Sequence, residues 1–191
     1  DGTNVDWQFD YKNGTTELRF IPYVSSSADT SSAVATATLA LNTWHHVAVS
    51  RDGSNNLRLF HNGSLLKTTS YSSTIDADGN ATLEVGARNN GGTRDRLLTG
   101  YVRDLRIVKG SAVYTSAFTT PTAALTAISN TKLLLCHAPY IGDGTSDRHA
   151  VTIGGNPEQV RFGPYDYLAY DKSTHGGSVY FDGDADYFTV G

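Results

Sequence analysis

The feature that most constrains the fold is a series of short runs in which apolar and polar residues alternate, each closed by a turn-forming pair. Residues 44–51 end at an Asp-Gly pair, and residues 57–61 are joined to residues 64–69 by an Asn-Gly pair. Strand side chains alternate between two faces, and Asn-Gly favours the positive backbone angles of a tight hairpin. No stretch of about ten or more residues shows the 3.6-residue period of an amphipathic helix. The chain is therefore predicted to be all-β, with antiparallel strands in a two-sheet sandwich or jelly roll.

Further runs of the same kind fill most of the 191 residues. The first hairpin is predicted at residues 5–11 and 17–23, joined through Asn13 and Gly14 by a type I′ turn. A helical turn is expected only near residues 112–114. The later predicted strands are residues 81–87, 100–108, 132–137 and 160–162, and residues 178–190 are predicted as a strand pair with a tight turn at residues 182–184. The length is sufficient for one ample β domain, and no internal repeat is present.

Charge and composition exclude several classes of function. The net charge is -4 with both signs scattered, so we expect no nucleic-acid partner. No apolar run approaches the roughly 18 residues of a membrane span, so we expect no membrane insertion. Cys136, the single cysteine, follows three leucines. We predict that it is a buried apolar residue rather than a nucleophile or half of a disulfide.

Residues able to catalyse a reaction are not grouped in the sequence. His45 and His46 are consecutive in a predicted strand, so their side chains point to opposite faces and cannot share a metal ion or a catalytic centre. A glycosidase needs two carboxyl groups about 5 to 9 Å apart. The three glutamates, Glu17, Glu84 and Glu158, have no carboxylate two positions away. The chain is therefore predicted not to be an enzyme, and no catalytic residue is assigned.

Calcium is the one cofactor for which the sequence offers ligands. Ca²⁺ prefers oxygen ligands grouped in a loop, and Asp76, Asp78 and Asn80 form such a group before a predicted strand. The alternative is turn formation alone, because Asp and Gly are also preferred turn residues. Two further acidic groups are Asp143 with Asp147, and Asp182 with Asp184 and Asp186.

Aromatic side chains in loop-like sequence are the candidates for glycan binding, because an exposed ring can contact a sugar above a polar groove. The candidate ligand-binding residues are Tyr71, Tyr140, Tyr165 and Tyr167, with Tyr170 beside them. The alternative is that they are ordinary surface residues, since tyrosine is frequent in β-strands. Trp7 and Trp44 are predicted to be core residues.

Four segments in a fixed order resemble one family of jelly-roll domains. They are residues 44–53, 57–63, 83–87 and 100–107. Their order and spacing are similar to those of the laminin-G-like, concanavalin A-like domains common in viral and bacterial surface proteins. The resemblance covers most of residues 44–136 and implies a non-catalytic module that binds surfaces or builds structures. Some laminin-G relatives bind calcium at a rim loop, so the resemblance also allows a calcium site.

The C-terminal segment resembles the family's first strand, which is not found at the N-terminus. Residues 177–183 and 186–190 carry this resemblance, and residues 130–165 resemble a linker of large bacteriophage structural proteins. The predicted organisation is a jelly roll at 1–128, an extended linker or peripheral segment at 129–175, and a terminal strand at 176–191.

Three arrangements of the terminal strand fit the sequence. The strand can complete a neighbouring subunit, it can begin the next domain of a tandem array, or it can close onto its own chain. Donation would satisfy the open edge and core of a sandwich that lacks a strand, and it would build a homo-oligomer or a filament. The side chains of this assembly strand are Val179, Phe181, Tyr187, Phe188 and Val190.

These features together predict a structural or surface-binding protein. The resemblance favours a bacteriophage virion or tail-fibre component that assembles by strand sharing and binds cell-surface glycans. Alternatives are an extracellular bacterial filament subunit and a lectin-like adhesion module. Each places the protein in a virion or at a cell surface.

Overall fold

The structure is a computed structural model in which all pairings between the described strands are antiparallel. It describes residues 5–30, 33–75, 82–90, 92–160, 163–165 and 178–190. These residues form 17 β-strands and one 3-10 helix, Asn13–Thr15. The predicted all-β antiparallel fold is therefore confirmed, whereas the helical turn expected near residues 112–114 does not form. No helix in the described part is long and apolar enough to cross a membrane.

The chain divides into two compact units. The N-terminal unit consists of the described residues of 2–81 and 111–120, and the C-terminal unit consists of those of 82–110 and 121–191. The predicted boundary at residue 128 therefore falls inside the C-terminal unit.

The N-terminal unit contains two sheets around one apolar core. Its strands are β1 (Trp7–Lys12), β2 (Glu17–Val24), β3 (Ser27–Ala28), β4 (Ala33–Thr36), β5 (Val47–Arg51), β6 (Asn56–His61) and β7 (Ser64–Ser70). Strand β2 pairs with β1, β3 and β4, and the second sheet has the order β5-β6-β7. Phe20, Leu57 and Leu59 are buried in the core together with Tyr71. Trp7 packs against them, with its ring centroid 5.8 Å from that of Phe20, as predicted for a core residue.

The two Asn-Gly pairs form different turns. Asn62 and Gly63 have φ angles of 47° and 77°, as a two-residue type I′ turn requires, and they join β6 directly to β7. Asn13 and Gly14 instead lie in the 3-10 helix, and Thr16 takes the positive φ, 52°. The first hairpin is confirmed, but its predicted type I′ turn is wrong. A longer connection separates β1 from β2, and longer loops are built on other turn types.

The C-terminal unit contains four antiparallel sheets or strand pairs. Its strands are β8 (Leu83–Val85), β9 (Arg88–Asn90), β10 (Thr93–Asp95), β11 (Thr99–Val102), β12 (Leu105–Val108), β13 (Thr131–Leu135), β14 (Val151–Gly154), β15 (Glu158–Val160), β16 (Ser178–Asp182) and β17 (Tyr187–Val190). The two three-stranded sheets have the orders β11-β16-β15 and β14-β17-β8, while β9 pairs with β10 and β12 with β13.

Residues 100–108, predicted as one strand, form two strands with different partners. Asp104, between β11 and β12, has a φ of 55°. Its amide donates to the Cys136 carbonyl at 3.1 Å, and its Oδ1 accepts the Leu125 amide at 3.1 Å. These bonds hold a break in the strand, so β11 pairs with β16 and β12 pairs with β13.

The C-terminal strand pair closes onto its own chain, which is the third of the arrangements that the sequence allows. Strand β16 lies between β11 and β15, and β17 lies between β14 and β8. Tyr187 lies under the Arg94 guanidinium, 4.4 Å from the ring centroid. The other side chains assigned to the assembly strand are buried in the core of this unit: Val179, Phe181, Phe188 and Val190. Donation of this strand to a neighbour stays a prediction.

The segment 129–175, expected to be a linker or peripheral, contributes strands to the same core. Its described part contains β13, β14 and β15. Leu133, Leu135 and Cys136 are buried in one cluster with Phe181, so the predicted burial of Cys136 is confirmed. The apolar run before Cys136 is the reason, because burying a leucine side chain stabilises the fold by about 1.5–3 kcal/mol.

Candidate functional site

One face of the sheet β11-β16-β15 carries two tyrosines and three further polar side chains. The register places Tyr101 opposite Tyr180, and Tyr180 opposite Glu158, in one row across the three strands. Thr99 and Asp182 are paired at the neighbouring position on the same face. Directly opposed side chains of adjacent strands have Cβ atoms about 4.5–5.5 Å apart. The five residues therefore form one continuous surface, which we call the tyrosine face.

Burial shows that the tyrosine face is the outer face of its sheet. Val179 and Phe181, which alternate with Tyr180 along β16, are 1% and 0% exposed. Tyr101 is 42% exposed, and Glu158 is exposed as well. Because successive side chains of a strand point to opposite faces, the buried neighbours direct Tyr180 outwards.

The two rings of the tyrosine face support each other. The ring centroids of Tyr101 and Tyr180 lie 4.9 Å apart, with 40° between the ring planes. A contact of this kind contributes about 0.5–1.5 kcal/mol beyond the buried area, so it restrains both rings. At the end of the face, Asp182 Oδ1 accepts the amide of Asp184 at 2.7 Å, and this bond orients the carboxylate.

The chemistry of the tyrosine face suits an uncharged, hydroxylated ligand. Aromatic rings offer apolar contact to the C–H faces of a sugar, while phenol and carboxylate oxygens can accept hydrogen bonds from its hydroxyls. The face contains two acidic side chains, Glu158 and Asp182, and no basic one among its five residues. Its charge therefore disfavours an anionic ligand.

The tyrosines predicted to bind glycan lie at separate places. Tyr140 is 46% exposed, as expected for a ligand-binding residue. Tyr71 is only 5% exposed, which differs from the expectation. Its amide donates to the Asn55 carbonyl at 2.8 Å, and its ring packs in the core of the N-terminal unit. Tyr167 and Tyr170 lie outside the described residues.

Tyr165 is held inside a polar cluster rather than presented to solvent. Its hydroxyl donates to Asp104 Oδ2 at 2.8 Å, and the Arg103 guanidinium lies 4.5 Å from its ring centroid. Burial, followed by the hydrogen bond to Asp104, raises the pKa of Tyr165. The side chain therefore stays protonated and braces the break between β11 and β12.

The predicted calcium ligands Asp76, Asp78 and Asn80 lie outside the described residues, but the second acidic group is described. Asp143 accepts four hydrogen bonds, from the amides of Leu134, Thr145 and His149 and from the Thr145 hydroxyl. Burial raises the pKa of this carboxyl, but the hydrogen bonds outweigh burial and leave the pKa below its usual value. Asp147 pairs with Lys132 at 3.2 Å. The contacts of Asp143 are those of a turn-stabilising residue.

The third acidic group is also engaged in a turn. Asp186 is 1% exposed, and its carboxylate accepts the amides of Asn156 at 2.6 Å and Asp182 at 3.0 Å. Asp182 in turn accepts the amide of Asp184. Turn formation, the alternative to calcium binding, describes these contacts.

In the described part of the chain, no three His, Cys, Asp or Glu side chains converge to hold a metal ion. Burial, with a smaller effect of Asp104, raises the pKa of the Cys136 thiol to about 12, so the thiol stays protonated. Glu84 pairs with Arg94 at 2.7 Å. His46 packs edge-on against Phe118, with ring centroids 5.3 Å apart, while His45 makes other contacts. The predicted divergence of the two histidines is therefore confirmed.

Sequence reasoning missed the tyrosine face. Tyr101 and Tyr180 are separated by most of the C-terminal unit, and only the pairing of β11 with β16 brings them together. The alternation along residues 178–182 was the available signal, since it places Tyr180 opposite in direction to Val179 and Phe181. It could not identify the partner strand.

Comparison with known proteins gives one family. A family model described as the concanavalin A-like lectin/glucanases superfamily matches residues 1–119. The matched residues include the described N-terminal unit almost entirely, together with β8 to β12 of the C-terminal unit. No curated protein and no solved structure matches the chain.

Proposed function

The chain belongs to the concanavalin A-like lectin/glucanase superfamily, and we propose that it is a non-catalytic, lectin-like module that binds glycans through the tyrosine face. Membership of this superfamily suggests a lectin-like or binding module. The observation that carries the glycan-binding proposal is the ring contact between the exposed Tyr101 and the half-buried Tyr180, flanked by two carboxylates.

We also propose that the module has no catalytic activity, and the contacts of its acidic side chains and of its thiol support this. In the described residues, Asp143 accepts three amides and the Thr145 hydroxyl, Asp186 accepts two amides, and Glu84 is paired with Arg94. The Cys136 thiol is buried and protonated. None of these groups faces a ligand as an acid, base or nucleophile.

A glycan array with the purified chain tests the proposal. Glycans that bind should bind at least about tenfold more weakly to Tyr101→Ala and Tyr180→Ala, because each change removes one stacked ring. Tyr101→Phe keeps the ring and should keep most of the affinity. Tyr140→Ala is the matched control, since it removes an equally exposed tyrosine outside the tyrosine face.

Three outcomes of the array would contradict the proposal. They are an array with no binding, unchanged binding by both alanine variants of the tyrosine face, and loss of binding in Tyr140→Ala alone. An arm with a chelator shows whether calcium supports binding, as the sequence allows for Asp76, Asp78 and Asn80. Release of reducing sugar from a bound glycan would contradict the non-catalytic part.

We propose as a second function that copies of the chain assemble by exchanging the C-terminal strand pair, in a virion or at a cell surface. The supporting observation is that β16 and β17 are each flanked by strands on both sides and bury Phe181 and Phe188. The same pairings made with a neighbour's strands would build a homo-oligomer or a filament.

Light scattering after size-exclusion chromatography tests this second function. We expect concentration-dependent oligomers that a peptide of residues 178–190 dissociates by occupying the same pairings. A peptide in which Phe181 and Phe188 are both replaced by Ser is the control, and it should have no effect. A chain that stays monomeric at high concentration, or oligomers that the peptide leaves intact, would count against strand exchange.

A further inference from the structure

Two histidine rings meet beside the hairpin of β5 and β6 in the N-terminal unit. His45 Nδ1 and His61 Nε2 lie 3.0 Å apart, and the ring centroids lie 5.0 Å apart. His61 pairs with Val47 across the strands, and His45 lies two residues before Val47, just before β5 begins, in a diagonal position relative to His61. Diagonal neighbours of this kind are within reach of each other's ring side chains.

The contacts fix which nitrogen of His45 faces His61 with a lone pair. His45 Nε2 lies 3.1 Å from the Ala40 carbonyl oxygen, which can only accept a hydrogen bond. The proton of a neutral His45 ring is therefore on Nε2, and Nδ1 carries the lone pair. His61 Nε2–H then donates to this lone pair. In the other tautomer of His61, with its proton on Nδ1, two lone pairs face the same gap.

The separation of the two nitrogens matches a shared metal ion. Two imidazole nitrogens bound to one ion at about 2.0–2.1 Å lie about 2.9 Å apart in a square-planar cis arrangement and about 3.3 Å apart in a tetrahedral one. The observed 3.0 Å lies between these values and close to the first. To bind one ion, the rings would turn so that both lone pairs leave the line between the two nitrogens and meet at a common point.

One contact of the pair is typical of a metal-binding histidine. A metal-bound histidine usually donates its second ring N–H to a carbonyl or carboxylate, which fixes the tautomer and the ring orientation. The Ala40 carbonyl already holds this position for His45. Both histidines are half-buried, and Val47 on the same face is 36% exposed. Solvent can therefore reach the gap and supply further ligands.

We propose that His45 and His61 form a two-histidine site for a first-row transition-metal ion, with copper(II) bound most tightly. Neutral imidazoles suit copper, nickel and zinc, and affinity along this series is greatest for copper(II). Water molecules complete the coordination shell. The site is independent of the tyrosine face, so either proposal can fail alone.

Calorimetric titration of the untagged full chain with copper(II) chloride tests the site. We expect one ion per chain, zinc binding at least about tenfold weaker, and an electron paramagnetic resonance spectrum with hyperfine splitting from two nitrogens. His45→Asn and His61→Gln should each weaken copper binding at least about tenfold, because each removes one ligand. His149→Gln, a histidine of the C-terminal unit, is the matched control and should leave binding unchanged.

Three outcomes of these experiments would overturn the proposed site. The proposed site is refuted if the paramagnetic resonance spectrum of the wild type with one equivalent of copper lacks nitrogen splitting. This measurement needs no variant. Copper affinity retained in both His45→Asn and His61→Gln would overturn it as well, as would equal loss in His149→Gln. Circular dichroism before and after addition of copper verifies that each variant is folded.

Discussion

The two units of the chain are built by different kinds of strand pairing. In the N-terminal unit, β1 pairs with β2 and β5-β6-β7 form a meander, so most partners are neighbours in the sequence. In the C-terminal unit, β11 pairs with β16 and β8 pairs with β17, across most of the unit's length. The first kind of pairing is set by local turns, and the second by the burial of distant apolar strands.

This difference has a functional consequence. Closing a long loop costs more entropy than closing a hairpin, so the long-range pairs must be held by the core that they bury. In the C-terminal unit, that core includes Phe181 and Phe188 of the last two strands. The same pairing that buries Phe181 places Tyr180 beside Tyr101. The proposed ligand surface therefore exists only when the C-terminal strands are in place.

The largest effect is expected from Phe181→Ala, which removes a fully buried ring from the long-range core. The free energy of unfolding should fall by about 3–5 kcal/mol, as is usual for a buried phenylalanine. Denaturant titration measures it. The matched control is Tyr101→Ala in the adjacent strand, which should lose no more than about 1.5 kcal/mol. A loss below about 1 kcal/mol for Phe181→Ala would show that β16 is not part of its own chain's core.

A smaller effect is expected in the locally paired unit from Gly63→Ala. Gly63 has a φ of 77°, and a Cβ there would lie 2.0 Å from the Phe118 carbonyl oxygen. The backbone conformation alone should cost about 1–3 kcal/mol, and thermal unfolding measures it. Gly53 is the control, because it follows Asp52 in a turn as Gly63 follows Asn62, but a Cβ at Gly53 would have no atom within 4 Å. Gly53→Ala should change stability by less than about 1 kcal/mol, and equal losses at the two glycines would contradict this account.

The smallest effect is expected from Asp143→Asn in the C-terminal unit, which keeps the size of the side chain but removes its charge and replaces one acceptor oxygen by an NH2 group, which cannot accept a hydrogen bond. Charge-assisted hydrogen bonds are about twice as strong as neutral ones, so the loss at pH 7 should be about 1–2 kcal/mol. Because the pKa of Asp143 is lower in the folded chain, its contribution is complete above the usual carboxyl pKa and is lost as pH falls through the lowered value.

Stability measured against pH checks the sign of this effect. The difference between the wild type and Asp143→Asn should shrink on acidification, as the wild-type carboxyl becomes protonated. A difference that grows towards acid pH would mean that Asp143 is not held as a carboxylate by its four donors.

The parts of the fold that the sequence predicted are those set by neighbouring residues. The hairpin at Asn62 and Gly63 followed from turn chemistry, and the burial of Cys136 followed from the apolar run before it. The break at Asp104 could not be predicted, because it depends on bonds to Leu125 and Cys136 that alternation along residues 100–108 does not encode.

The sequence could predict which type of residue forms the candidate site, but not which positions form it. Exposed tyrosines were expected, and Tyr140 is one. Tyr71 lies in a core, and the sequence could not show this, because a run of residues near a turn does not reveal whether its ring packs inwards. Similarly, the spacing of Asp143 and Asp186 could not show that backbone amides already occupy their oxygens.

The most direct test of the central claim is a backbone amide NMR titration of the ¹⁵N-labelled chain with a glycan that it binds. We expect the largest shift changes on residues 99–102, 158–160 and 178–182, and we expect Tyr101→Ala to need at least about tenfold more glycan for the same changes. Largest changes elsewhere, for example along residues 64–70 of the N-terminal unit, would contradict binding at the tyrosine face.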